Sequence, residues 1–195
     1  EQIKEKFMRK SVFVTALVMT AISLTACGGK KGPDNGGSGT VAESTQAITV
    51  DLEKVHQAVK DVYGENYIPS AAYDAQALND IFGVPADLYE EFIAEGPMIS
   101  VHVDTFVAIR AKEGKGGDVE KLLGDYRTRL VEDSMQYPMN ISKVQASEVV
   151  RHGDYVFFVM LGTASEEAQE QGEEAALQSA QEENKKAVDA INAFF

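Results

Sequence analysis

Cys27 is the only thiol in the chain, and the residues around it suit acylation. Leu24, Thr25 and Ala26 put one branched apolar and two small side chains directly ahead of it. A thiolate is the reactive form of cysteine, and it can take a diacylglyceryl group as a thioether. Small neighbours would let a peptidase cut just before Cys27. Upstream, Lys4, Lys6, Arg9 and Lys10 precede an uncharged stretch from Val12 to Ile22. That order of basic, apolar and small residues is the pattern of a secretory signal. The apolar stretch is shorter than the ~20 residues a spanning helix needs.

Leu24-Thr25-Ala26-Cys27 resembles the lipobox of bacterial lipoproteins. The resemblance implies a lipoprotein signal peptide over 1–26 and a lipidated Cys27, held by acyl chains such as palmitate on the extracytoplasmic face of the cell membrane. One chain holds a protein only weakly, at about 0.8 kcal/mol per buried CH2, so two or three are needed for lasting attachment. Gly28 to Thr40 contains six glycines and cannot form a core. Residues 27–46 therefore read as the lipidated cysteine and a flexible tether, spanning about 20–25 Å.

Other reactive residue types are less well placed. His56, His102 and His152 have no second histidine or carboxylate at metal-ligand spacing, so they read as isolated surface or turn residues. Glu90-Glu91, Glu132-Asp133, Glu166-Glu167, Glu173-Glu174 and Glu182-Glu183 are adjacent carboxylates. Such pairs can work as acid and base or bind calcium, but charge on a helix exterior is by default a solvated face. Ser100, Ser134, Ser142 and Ser147 lack the glycine elbow or the Ser-x-x-Lys spacing of acyl-transfer enzymes. Gly114, Gly116 and Gly117 precede a helix but lack the Lys-Ser/Thr of a phosphate loop, and read as a turn. No catalytic residue, metal site or cofactor is predicted. Tyr137-Pro138-Met139 follows a helix in a loop. There, apolar residues either cover the core, the ordinary arrangement in monomers, or form a recognition patch for a partner.

Charge narrows the partners. From Cys27 onward the chain has 14 basic and 29 acidic residues, a net charge of −15. Such a surface repels nucleic acid and anionic lipid. With Cys27 acylated no disulfide can form, so the domain must rest on its hydrophobic core. About 150 residues suffice for one such domain, expected over 47–195.

The elements follow from periodicity. Asp51 to Tyr63 is a helix capped by Asp51, with Leu52, Val55, Ala58, Val59 and Val62 on one stripe. Asp74 to Phe82 is a second helix, stopped by Gly83. Leu88 to Ala94 suits a strand or a turn. Thr105 to Ala111 alternates with two partly apolar faces, and Met98 to Val103 is its expected hairpin or bulge partner. Asp118 is the expected cap of a helix carrying Val119, Leu122, Leu123, Tyr126, Leu130 and Val131. Val144 to Arg151 and Tyr155 to Leu161 read as strands joined at His152-Gly153-Asp154. The acidic stretch from Glu166 leads into a last helix through Ile191. Hairpin strands with helices returning across one face predict an α+β fold with an antiparallel sheet, ferredoxin-like in element order in its central part.

Thr105-Phe106-Val107-Ala108-Ile109-Arg110-Ala111-Lys112, the helix through Tyr126, Tyr137-Pro138-Met139 and Gly153-Asp154-Tyr155-Val156-Phe157-Phe158 together resemble domain of unknown function 4358. That resemblance implies a small lipoprotein of the cell envelope in Gram-positive bacteria, over roughly residues 50–195, and implies no activity. The expected function is a non-enzymatic binding or interaction module of the envelope, anchored in the membrane and able to meet an envelope protein partner. The alternatives are a small solute-binding component and an envelope hydrolase.

Overall fold

The computed structural model describes residues 49–132 and 135–195. The signal over 1–26, Leu24 to Cys27, the tether over 27–46, the expected domain start at Ala47, and Asp133 and Ser134 lie outside the described residues.

Asp51 accepts a hydrogen bond from the Glu53 backbone and caps α1 (Leu52–Tyr63). A 3-10 turn over Gly64–Asn66 follows, then the two-residue β1 (Ala71–Ala72). Asp74 caps α2 (Ala75–Phe82), which ends at Gly83 with φ 76°, a left-handed backbone that glycine adopts without strain. β2 (Tyr89–Gly96) and β3 (Thr105–Ala111) lead into α3 (Gly116–Glu132). A 3-10 turn over Pro138–Asn140 opens α4 (Ile141–Ala146). β4 (Glu148–His152), β5 (Tyr155–Met160), α5 (Glu166–Gln171) and α6 (Glu173–Asn192) complete the order.

The five strands form one antiparallel sheet in the order β1-β2-β3-β5-β4, an α+β architecture. β3 and β4 therefore run parallel, with β5 antiparallel between them. This is the split strand-helix-strand arrangement that the ferredoxin-like element order implies. No helix among the described residues is long and apolar enough to cross a membrane.

The helices cover both faces of the sheet, not one. Val107, Ile109, Val156, Phe158 and Met160 pack with Leu78 and Phe82 of α2 and Val119 and Leu123 of α3. Phe106, Ala108, Phe157 and Val159 pack with Leu52, Val55 and Val59 of α1 and Ala187 and Ile191 of α6. Side chains alternate across a strand. Because β3 and β5 are apolar at both parities, each face needs its own cover. Val62, Ile81 and Val131, at apolar-looking helix positions, are exposed.

Three local readings change. The partner of β3 is β2, through Phe92↔Ile109 and Ala94↔Val107, and residues 98–103 form a connecting loop. α3 begins at Gly116, so Asp118 sits in its first turn rather than capping it. Residues 144–146 belong to α4, and β4 starts at Glu148. The short α4 holds as a helix because Arg127 of α3 donates to the Ser147 carbonyl at 2.6 Å and the Gln145 carbonyl at 3.0 Å. A cation there satisfies the free carbonyls of a helix end.

Candidate interaction surface

The sheet has two ends of different construction. At the hairpin end, Gly153, with φ 61°, and Asp154 turn β4 into β5. The Asp154 carboxylate accepts the Gly114 and Gly116 amides, each at 3.0 Å. A side chain at Gly116 would collide with the Gly153 carbonyl, so helix start and turn meet backbone to backbone. The glycine turn read from the sequence thus holds an anion, and the anion is the chain's own carboxylate. His152 stacks on Phe195 with centroids 4.3 Å apart and hydrogen-bonds Asn192 at 2.8 Å. The Val50 amide donates to the Tyr155 hydroxyl at 2.9 Å, so the chain enters the domain here.

The loop end joins β2 to β3 through residues 97–104 and α3 to β4 through 135–147. Some of its polar groups point inward. Asp104, 1% exposed, pairs with Lys143 of α4 at 2.6 Å. Buried Asn140 donates its side-chain amide to the Val101 carbonyl at 2.8 Å. Its backbone amide bonds the Tyr137 carbonyl at 2.8 Å. With the Arg127 clamp on Gln145 and Ser147, these bonds fix one loop against the other. A buried ion pair repays little net energy, but it holds register, because removing either partner strands a charge.

Large apolar side chains also point outward, although Val144 and Ala146 are buried. Met98 is 78% exposed, Ile99 63%, Met139 63%, Tyr137 56% and Ile141 45%. Tyr137 and Met139 therefore do not cover the core, and Pro138 is exposed between them. Tyr126 and Tyr155 do pack inward, Tyr126 against Phe82 and Phe158 and Tyr155 against Phe195. The Asn140–Val101 bond brings the two loops side by side, so these exposed apolar residues lie on neighbouring loops, a candidate for a contact site. Residues 97–103 and 135–147 contain no carboxylate, and their one lysine or arginine is the buried Lys143.

His56 is not a surface residue. It is buried on α1, hydrogen-bonded to Glu95 of β2 at 3.0 Å and to the Tyr67 hydroxyl at 3.2 Å, and stacked on Phe106. Tyr67 also donates to the same Glu95 oxygen at 3.1 Å. Burial, then the Glu95 charge, pushes the Tyr67 hydroxyl well above its ordinary 10.0. Glu95 stands 39 residues from His56 in the chain, so spacing could not reveal the pair. The pair ties α1 to the sheet. His102 is exposed in the loop.

Glu90 and Glu91 both pair with Arg110, at 2.8 and 3.0 Å. Among the described residues, no group of three or more His, Asp or Glu side chains is arranged to hold a metal ion. A shallow open groove of about 290 Å³ runs between α3, α4 and α6, with Arg127, Glu148, Gln178 and Lys185 among its lining residues.

A family model described as Domain of unknown function (DUF4358) matches residues 63–161, just over half of the chain. That span runs from the last residue of α1 through β5 and includes both loops of the apolar surface. Comparison with curated proteins gives no match, and neither does comparison with solved structures.

Proposed function

The chain belongs to the DUF4358 family, and from that premise we propose that it is a lipid-anchored envelope protein whose domain is a non-enzymatic interaction module. The exposed Met98, Ile99, Tyr137, Met139 and Ile141 on clamped loops carry the interaction reading. A surface of this composition costs solubility unless a partner covers it, and Met and Tyr are common at protein interfaces. Its rigid base lowers the ordering cost of binding.

Cys27 in its Leu-Thr-Ala setting supports the anchor, with Gram-positive bacteria as the proposed context. The groove beside α4 supports a solute-binding role less well, since it is open and the Arg127 guanidinium is already engaged by two carbonyls.

Two experiments test the two parts. Cys27→Ser should release the protein from the membrane or leave an uncleaved precursor. A processed variant that fractionates like the parent would remove the lipid anchor from the proposal. Brief crosslinking in the envelope, with the parent and with a Met98→Asp/Met139→Asp variant, tests the module. A partner recovered with the parent and lost with the variant supports it; equal recovery overturns it.

A further inference from the structure

We propose that the loop-end surface receives a polypeptide segment that is apolar at its centre and carries lysine or arginine at its flanks. This rests on the interaction reading above and names the chemistry of the partner.

The centre follows from Met98, Ile99, Tyr137, Met139 and Ile141, which offer no carboxylate and no free cation. Methionine is flexible and polarizable, and it adapts to an irregular apolar ligand.

The flanks follow from charge. From Cys27 onward the net charge is −15, and such a field attracts a basic partner and speeds its arrival. Glu132 and Glu148, both exposed, bracket the 135–147 segment in the chain. The nearest arginines are engaged: Arg127 by the Gln145 and Ser147 carbonyls, Arg129 over the Tyr126 ring at 5.9 Å. A second copy would bring an equal negative charge, and an anionic lipid surface would be repelled in the same way.

The surface also stands apart from the start of the described domain. The described chain begins at the hairpin end, beside Tyr155. The apolar surface adjoins Thr105, at the opposite end of β3 from Ala111, about 20 Å along the strand. Within the domain, the apolar surface and the first described residues therefore lie at opposite ends of the sheet.

The test uses the full-length chain in the membrane of the cell that makes it. A photoreactive benzoylphenylalanine replaces Met139, with the same replacement at exposed Lys54 as control, and crosslinked segments are identified by mass spectrometry. The expected result is a crosslink from position 139, absent from position 54, to an apolar segment flanked by Lys or Arg. Its yield should fall about fivefold or more when salt is raised to about 0.5 M, because screening shortens the reach of surface charge. Ile99→Asp, in a protein with an unchanged melting curve, should reduce the yield similarly. A crosslinked segment without basic flanks, a yield indifferent to salt, or a crosslink to a second copy overturns this inference and leaves the interaction reading standing. Crosslinks to lipid alone, or none above the Lys54 control, overturn both.

Discussion

The two ends of the sheet solve opposite problems. At the hairpin end the chain satisfies itself: Asp154 fills the start of α3, Phe195 folds back on His152, and Tyr155 receives the incoming Val50 amide. At the loop end Asp104 and Lys143 are buried beside Val144 and Ala146, while Met98 and Met139 stand in solvent. Asp104, Lys143 and Asn140 clamp the two loops from within, and several large apolar side chains face outward. The proposed partner sits at the loop end, and the hairpin end is its internal comparison.

The largest break in this comparison should come from Lys143→Met. It leaves the Asp104 carboxylate buried without its cation and should cost about 3–5 kcal/mol, read by denaturant unfolding. An unchanged midpoint would mean that solvent reaches Asp104 and the loop end is not clamped as described.

The hairpin end should respond less. Asp154→Ala removes the acceptor of two amides and should cost about 1–2 kcal/mol by the same measurement. A larger loss than that from Lys143→Met would reverse the ranking of the two ends.

Alkaline pH should weaken the fold through Tyr63. Tyr63 donates to the Glu183 carbonyl at 2.7 Å, and burial raises its hydroxyl well above the ordinary 10.0. The folded state thus keeps the phenol neutral while the unfolded chain ionises it near 10.0. Stability from this group is complete below that pH and is lost as pH rises beyond it. Tyr63→Phe should flatten the fall by up to about 1.4 kcal/mol per pH unit. Identical pH profiles would show that Tyr63 is not held neutral.

The smallest effect on stability should come from Met139→Ser, within about 0.5 kcal/mol, because the side chain is exposed. If melting shifts by more than that, Met139 supports the fold and is not reserved for a partner.

The parts that sequence periodicity predicts well are those whose pattern is local. α1 and α2 carry their own Asp caps, and α3 and α6 repeat apolar residues at helical spacing. β3, β5 and the Gly153-Asp154 turn announce themselves by alternation and by glycine. β2 is harder, since Glu90 and Glu91 obscure its pattern and their partner Arg110 comes from the neighbouring strand. α4 is harder still, because its C-terminal carbonyls are satisfied by Arg127 from another helix. Tyr137-Pro138-Met139 stood out by composition, but composition alone does not decide between core and solvent.

Local chemistry is written in the chain: the lone Cys27 after small residues, the acidic balance, the helix caps, and strands apolar on both faces. Those features depend on neighbours a few residues apart. Folding alone decided that helices cover both faces, that His56 meets Glu95, and that Asp104 and Lys143 pair beneath an exposed apolar surface. Each of these depends on residues far apart in the chain that share one buried volume, where desolvation makes pairing obligatory.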